Sequence, residues 1–175
     1  APEEMCYYRT SGYARGIYVS DGLAYIADYD AGFRIMDISA PANPTVIGYY
    51  DTLGFAYDVY VKGTYAYVAY YDEGLRIIDI SNLANPTETG HYDTPGYAYD
   101  VYVIDSLAYV ADHTGGLRII DISNPINPTE TGYYDTPGDA MGVYVSDSLA
   151  YVADGMEGLR IININDPTNP SETGY

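Results

Sequence analysis

Five prolines, Pro2, Pro44, Pro86, Pro128 and Pro170, stand 42 residues apart in this 175-residue chain, with no insertion or deletion between them. A period that strict means that one supersecondary unit is copied and stacked, because a unit of this size cannot bury its apolar face alone. Other columns keep the same phase, among them Gly32, Gly74, Gly116 and Gly158, and Arg34, Arg76, Arg118 and Arg160. Counted from proline, four full units run 2–43, 44–85, 86–127 and 128–169 in a single repeat domain over 1–175. Residues 170–175 begin a fifth copy and read as a surplus strand.

Each unit carries four short segments with strand character. In the second they are Val46–Thr52, Ala56–Val61, Tyr65–Ala69 and Leu75–Ile80, all rich in Val, Ile and Tyr, which suit a pleated surface. Turn residues separate them, and Lys62-Gly63-Thr64 is short enough for a tight hairpin. No helical stripe interrupts the pattern. The chain is therefore expected to be all-β, a β-propeller-type protein of four four-stranded blades. A parallel β-helix is the competing architecture, but its coils carry fewer strands and no tight hairpin.

At the fourth segment the pattern becomes specific. Leu75-Arg-Ile-Ile-Asp-Ile-Ser81 with Asn85-Pro86, and Leu117-Arg-Ile-Ile-Asp-Ile-Ser-Asn-Pro125 with Asn127-Pro128, resemble the LVIVD repeat, as do the preceding Ala108-Tyr-Val-Ala-Asp112 and Ala150-Tyr-Val-Ala-Asp154. The resemblance covers the whole chain and implies blade-like repeats and a secreted or surface address. It implies no activity. Phe33-Arg-Ile-Met-Asp-Ile-Ser39 and Leu159-Arg-Ile-Ile-Asn-Ile-Asn165 depart from the pattern, and Asn163 in place of Asp marks the fourth unit as different.

Charge narrows the partners. With 25 Asp+Glu against 7 Lys+Arg the net charge is -18, which argues against nucleic acid or an anionic membrane. No run of 18 apolar residues is present, so no transmembrane segment is expected. A single cysteine, Cys6, rules out an intramolecular disulfide and a multi-thiolate metal site. It occupies a column held elsewhere by Gly48, Gly90, Gly132 and Gly174. The start Ala1-Pro-Glu-Glu reads as a mature end after signal cleavage or as an expression boundary. Acidic and thiol-poor, the chain is expected to be extracellular or cell-surface.

Of 24 tyrosines most are locked in columns, such as Tyr18, Tyr60, Tyr102 and Tyr144, or Tyr25, Tyr67, Tyr109 and Tyr151, and are expected to fill the wedges between blades. Tyr29, Tyr70 and Tyr71 fall outside those columns, and Tyr70-Tyr71 is expected as an exposed interaction patch. The acidic turns offer Asp28, Asp30, Asp72, Glu73, Asp154 and Glu157 as oxygen donors, so calcium is the one cofactor to weigh, though no known calcium-loop pattern is matched. His91 and His113, 22 residues apart, form no metal or catalytic spacing. No nucleophile elbow, phosphate loop or Cys/His pairing occurs, so no catalytic residue is assigned and no enzyme is expected. A carboxylate-based hydrolase ranks last, because repeated columns are symmetric and catalytic sites are not.

The ends of the chain share one phase. Pro2 to Tyr7 and Pro170 to Tyr175 are copies of the same strand, five copies for four blades. A spare copy is free to pair with a neighbouring chain, so Pro2, Tyr7, Pro170 and Tyr175 are candidate interaction residues. The expected function is that of a structural or interaction protein forming a homo-oligomer or polymer, with strand exchange leading to a filament if it never closes. A recognition module that binds carbohydrate or protein through its loops is the alternative.

Overall fold

The structure, a computed structural model, describes residues 6–51 and 54–174. Its strands form four antiparallel four-stranded sheets. The first holds β1 (Gly16–Ser20), β2 (Leu23–Ala27), β3 (Phe33–Asp37) and β4 (Thr45–Tyr50). The second holds β5 (Asp58–Lys62), β6 (Tyr65–Ala69), β7 (Leu75–Asp79) and β8 (Thr87–Tyr92), and the third β9 (Asp100–Ile104), β10 (Leu107–Ala111), β11 (Leu117–Asp121) and β12 (Thr129–Tyr134). The fourth holds β13 (Gly142–Ser146), β14 (Leu149–Ala153), β15 (Leu159–Asn163) and β16 (Ser171–Gly174), with one 3₁₀ turn at Gly155–Glu157. Each sheet is a meander whose strands pair in chain order, as expected of propeller blades.

Local chemistry sets these boundaries. Two-residue turns join the first hairpin of each sheet, and Asp21, Gly63, Asp105 and Asp147 lead them at φ 53, 62, 48 and 54°, the left-handed region that Asp and Gly tolerate. The next loop ends on Gly32, Gly74 or Gly116. Beyond its positive φ, a Cβ at Gly74 would lie 2.4 Å from the Tyr92 carbonyl oxygen, so no other residue fits. After the third strand, the Asp37, Asp79 and Asp121 carboxylates each accept the backbone N–H two residues on at 2.8 Å and turn the chain toward Asn-Pro. The side chain and backbone N–H of Ser39 hold Asp37 below the usual carboxyl range, and the backbone N–H and side chain of Ser81 and Ser123 do the same for Asp79 and Asp121.

The strand after each repeated proline pairs backwards: β4 pairs with β3, and β16 with β15. Units counted from proline thus straddle two sheets. Ser171–Gly174, expected as surplus, is instead the outer strand of the fourth sheet. The copy left over in sequence is the one at 2–8. Of it, residues 2–5 lie outside the described residues, and Cys6–Tyr8 form no strand.

Among the described residues the core holds three like clusters, one between each pair of consecutive sheets, and a smaller fourth on the first sheet alone. Tyr67, Ala69, Leu75 and Ile77 of the second sheet meet Val101, Val103, Val110 and Ile120 of the third, and homologous residues repeat this before and after it. Inner strands adjoin in the order β1, β5, β9, β13. Along them the Tyr18, Tyr60, Tyr102 and Tyr144 rings follow one another at 5.2, 5.2 and 5.0 Å. Among the described residues β13 does not adjoin β1 in this way, so the stack is an open arc.

Candidate interaction surfaces

Where the loops enter the inner strands, aromatic side chains form a continuous belt. Tyr29, Tyr71 and His113 hold left-handed backbones (φ 48, 38 and 49°) because each bridges to an alanine of the next sheet, Ala56, Ala98 or Ala140. Their rings are thereby laid on the rings that flank those alanines. Tyr29 stacks on Phe55 and Tyr71 on Tyr97, both at 4.4 Å, while Tyr57 stacks on Tyr71 at 5.3 Å and Tyr99 on His113 at 5.1 Å. At one end of the belt, Arg15 takes the place of a ring, its guanidinium carbon 5.0 Å from the Tyr29 centroid and 5.1 Å from that of Tyr57. The fourth sheet has Asp139, Met141 and Gly155 in these columns, and the belt stops there. Burial, and then the neighbouring tyrosines, push the Tyr57 hydroxyl up to about 12.

Beside the belt lies a carboxyl pair that sequence reasoning missed. The Val101 N–H is 2.9 Å from Asp100 Oδ1 and 3.3 Å from Asp58 Oδ2, so two carboxyls converge on one donor, while Val143 N–H donates to Asp100 Oδ2 at 2.7 Å. Burial first, then the hydrogen bond and charge of Asp100, raise Asp58 to about 8. Burial and the neighbouring carboxyl thus favour the protonated form of Asp58 at neutral pH. The first and fourth sheets have Gly16 and Gly142 in this column, and a Cβ on Gly16 would lie 2.3 Å from Asp58 Oδ1. A column reading Gly, Asp, Asp, Gly was the signal available in the sequence.

The acidic turns face arginine. Asp28, fully buried, accepts from Arg34 Nε at 2.8 Å and from the Gly12 N–H at 3.1 Å. Asp154 and Glu157 lie 3.1 and 3.5 Å from Arg160, and Glu73 pairs with Arg76. Asp30 and Asp72 are exposed. The six calcium candidates are thus dispersed over three sheets, and no group of three or more potential metal ligands occurs among the described residues. Tyr70 is corrected from surface to core. It is fully buried, because it takes in the second sheet the place that Asp28, Asp112 and Asp154 take in the others. Tyr71, its neighbour, lies in the belt. Tyr7 is 81% exposed and Pro170 half-buried, whereas Pro2 and Tyr175 lie outside the described residues. His91 is exposed and 2.9 Å from Glu88, far from the belt position of His113.

The two ends of the stack differ from its interior. Leu75 and Leu117 are fully buried, yet their counterpart Leu159 is 53% exposed. At the other end Ile17 and Val19 are 63 and 57% exposed, where Val59 and Val61 are buried. Further out on that same face Ala24, Ile26 and Met36 are buried, so its open part is the inner strand.

Comparison with known proteins agrees with this periodic build. The family model described as the LVIVD repeat matches residues 11–52, 53–94, 95–136 and 137–175. The chain belongs to the LVIVD-repeat family. No curated protein matches it in sequence. Among solved structures, the computationally designed Ika4 protein is similar at a TM-score of 0.69 and 9% identity, over 93% of this chain and 98% of that one. The computationally designed Ika8 protein is similar at 0.68 and 10% identity, over 87% of this chain and 46% of that one. A structural genomics protein of unknown function from Bacteroides thetaiotaomicron VPI-5482 is similar at 0.66 and 14% identity, over 87% and 41%. The LVIVD chain thus spans under half the length of two of these three, and the likeness is one of fold.

In this LVIVD chain the motif residues build structure. The motif Asp turns the chain after the third strand. Asn163 does the same in the fourth sheet, its Oδ1 accepting the Asn165 N–H at 2.9 Å. Column tyrosines join neighbouring sheets: Tyr25, Tyr67 and Tyr109 are buried in or beside the clusters, and the Tyr50 and Tyr134 hydroxyls donate to Glu88 and Glu172 of the next sheet at 2.8 Å. What the repeat leaves unassigned is the belt, the carboxyl pair and the two end faces.

Proposed function

We propose that this LVIVD chain is a non-enzymatic, extracellular or surface-borne structural module that associates with copies of itself. The observation that carries this is the pair of unlike end faces. Each is half of an interface that the chain buries three times internally, and apolar surface of that kind is normally covered. Terminal strand exchange is the less favoured route. Gly48, Gly90 and Gly132 lie where a Cβ would approach a carbonyl oxygen of the next sheet to 1.8–2.3 Å, and the copy at 2–8 has Cys6 in that column. This reading calls on no metal or cofactor: Arg34, Arg76 and Arg160 pair with Asp28, Glu73 and Asp154. Sedimentation velocity over a wide concentration range tests it. Species heavier than 19.2 kDa support it, and a monomer throughout would refute it.

A second reading rests on the belt, whose rings Tyr13, Phe55 and Tyr97 remain 71, 36 and 39% exposed. These edges favour recognition of a carbohydrate or protein through the loops. Titration against oligosaccharides, followed by tyrosine fluorescence, is expected to respond to Tyr97→Ala and not to Tyr7→Ala if the belt binds.

A further inference from the structure

The internal joints between sheets share one backbone signature. A left-handed residue in the loop after the second strand exchanges two hydrogen bonds with the alanine that precedes the next inner strand. Tyr29 and Ala56 are linked at 3.0 and 3.1 Å, Tyr71 and Ala98 at 3.1 and 2.8 Å, and His113 and Ala140 at 2.9 and 3.1 Å. The fourth such loop is already in the same shape. Asp154 N–H donates to the Gly158 carbonyl at 2.7 Å and Gly158 N–H to that of Gly155 at 3.3 Å, as Asp28 and Gly32 do at 2.8 and 3.2 Å, and Gly155 has φ 55°. Its repeat partner is Ala14, at the opposite end of the stack. Both Ala14 and Gly155 are exposed, and no bridge joins them within the chain.

We infer that Gly155 of one copy bridges Ala14 of a second copy, forming a fourth inter-sheet joint, and that two copies close by two such joints into one ring of eight sheets. This rests on the self-association proposed above and names its surfaces and stoichiometry. The apolar side chains agree with the register. Leu159 stands on one end face as Leu117 stands at the joint before it, while Ile17 and Val19 present on the other the column that Val143 and Val145 fill at that joint. The number of copies follows from closure. A ring in which every joint is alike holds a multiple of four sheets, and four is excluded because Ile17, Val19 and Leu159, which such a ring would bury, stay exposed in the chain. Eight is the smallest ring that remains, and it gives a closed two-fold pair.

The test uses three variants of the whole chain. In a Cys6→Ser background, Ala14→Cys and Gly155→Cys are placed on separate chains and mixed under mild oxidation. Bridged strand pairs hold their Cα atoms at about 5.5 Å, within disulfide reach. The expected results are a covalent heterodimer, a native mass twice 19.2 kDa, and loss of the dimer in Leu159→Asp with an unchanged β-sheet circular dichroism spectrum. A concentration-independent monomer would overturn self-association together with this joint. A dimer that forms no disulfide and tolerates Leu159→Asp would overturn the joint alone. Non-covalent species larger than a dimer, growing with concentration and with no discrete dimer among them, would overturn ring closure and leave self-association standing.

Discussion

Leu117 and Leu159 occupy one column of the repeat, in the same Leu-Arg-Ile-Ile run and on the same face of their sheets, yet one is fully buried and the other 53% exposed. Val61 and Val19 make the same contrast from the opposite side, at 8 and 57%. Sequence pattern fixes which face of a strand is apolar, and only a neighbouring sheet makes that face interior. The end sheets also differ in residue type. Gly16 and Gly142 replace the aspartates of the inner column, and Met141 and Gly155 replace belt aromatics. The interior carries the special chemistry, and the ends carry unsatisfied copies of the ordinary joint.

The sharpest way to break this comparison is truncation. Leu117→Ala empties a site enclosed by the third and fourth sheets and is expected to cost about 2–5 kcal/mol. Leu159→Ala, measured where the chain is monomeric, is expected to cost less than about 1 kcal/mol, since the side chain has water on one side. Urea unfolding monitored by circular dichroism reads both. Equal costs would mean that the exposed end face is covered in the chain itself.

A smaller effect separates the interior inner strands from the end ones by pH. Asp58 is raised to about 8 from an ordinary value of 3.8, so between those limits the folded chain binds more protons than the unfolded one. The contribution of this group is fully present below pH 3.8 and is lost as pH rises through 8. Asp58→Asn keeps a donor toward Asp100 without the titration. Its stability relative to the parent is expected to be near zero at pH 4 and to climb toward pH 8, by at most roughly 1.4 kcal/mol per pH unit. Melting temperatures of the two proteins across this range check it, and parallel curves would show that Asp58 is not raised in the folded chain. Gly142→Asp, in the fourth sheet, tests whether the column tolerates a third carboxylate. It is expected to lower the melting temperature as pH rises, because that side chain would lie against Asp100.

Much of this architecture is legible in the chain. The 42-residue period, the hairpin turns led by Asp or Gly, and the Leu-Arg-Ile-Ile-Asp strand lead directly to four-stranded sheets. The offset between units and sheets is not legible, because a periodic sequence has no intrinsic cut, and whether the strand after Asn-Pro pairs forwards or backwards is decided by the preceding Asx turn. Tyr70 looked like a partner of Tyr71 by adjacency, although its phase places it with Asp28, Asp112 and Asp154, a column that is buried in every sheet. Asp58 and Asp100 are visible as a break in symmetry. Their convergence on the Val101 N–H depends on inner strands 42 residues apart lying side by side, which local pattern does not encode.

The smallest effect concerns the departure that seemed to mark the fourth unit. If Asn163 signalled a different environment, restoring the family residue would change stability. The geometry says otherwise: the side-chain oxygen accepts from Asn165 N–H at 2.9 Å, where Asp121 accepts from Ser123 at 2.8 Å, and an amide oxygen serves this turn as a carboxylate does. Asn163→Asp adds one charge to a chain already at -18, with the new carboxylate held by the same N–H. The expected change is within about 0.5 kcal/mol at moderate salt. It should turn slightly favourable as pH rises above the carboxyl range, because the N–H bond that holds Asp121 low would hold the new group low as well. A loss well beyond that limit would show that the fourth sheet differs at its turn and not only in lacking a neighbour.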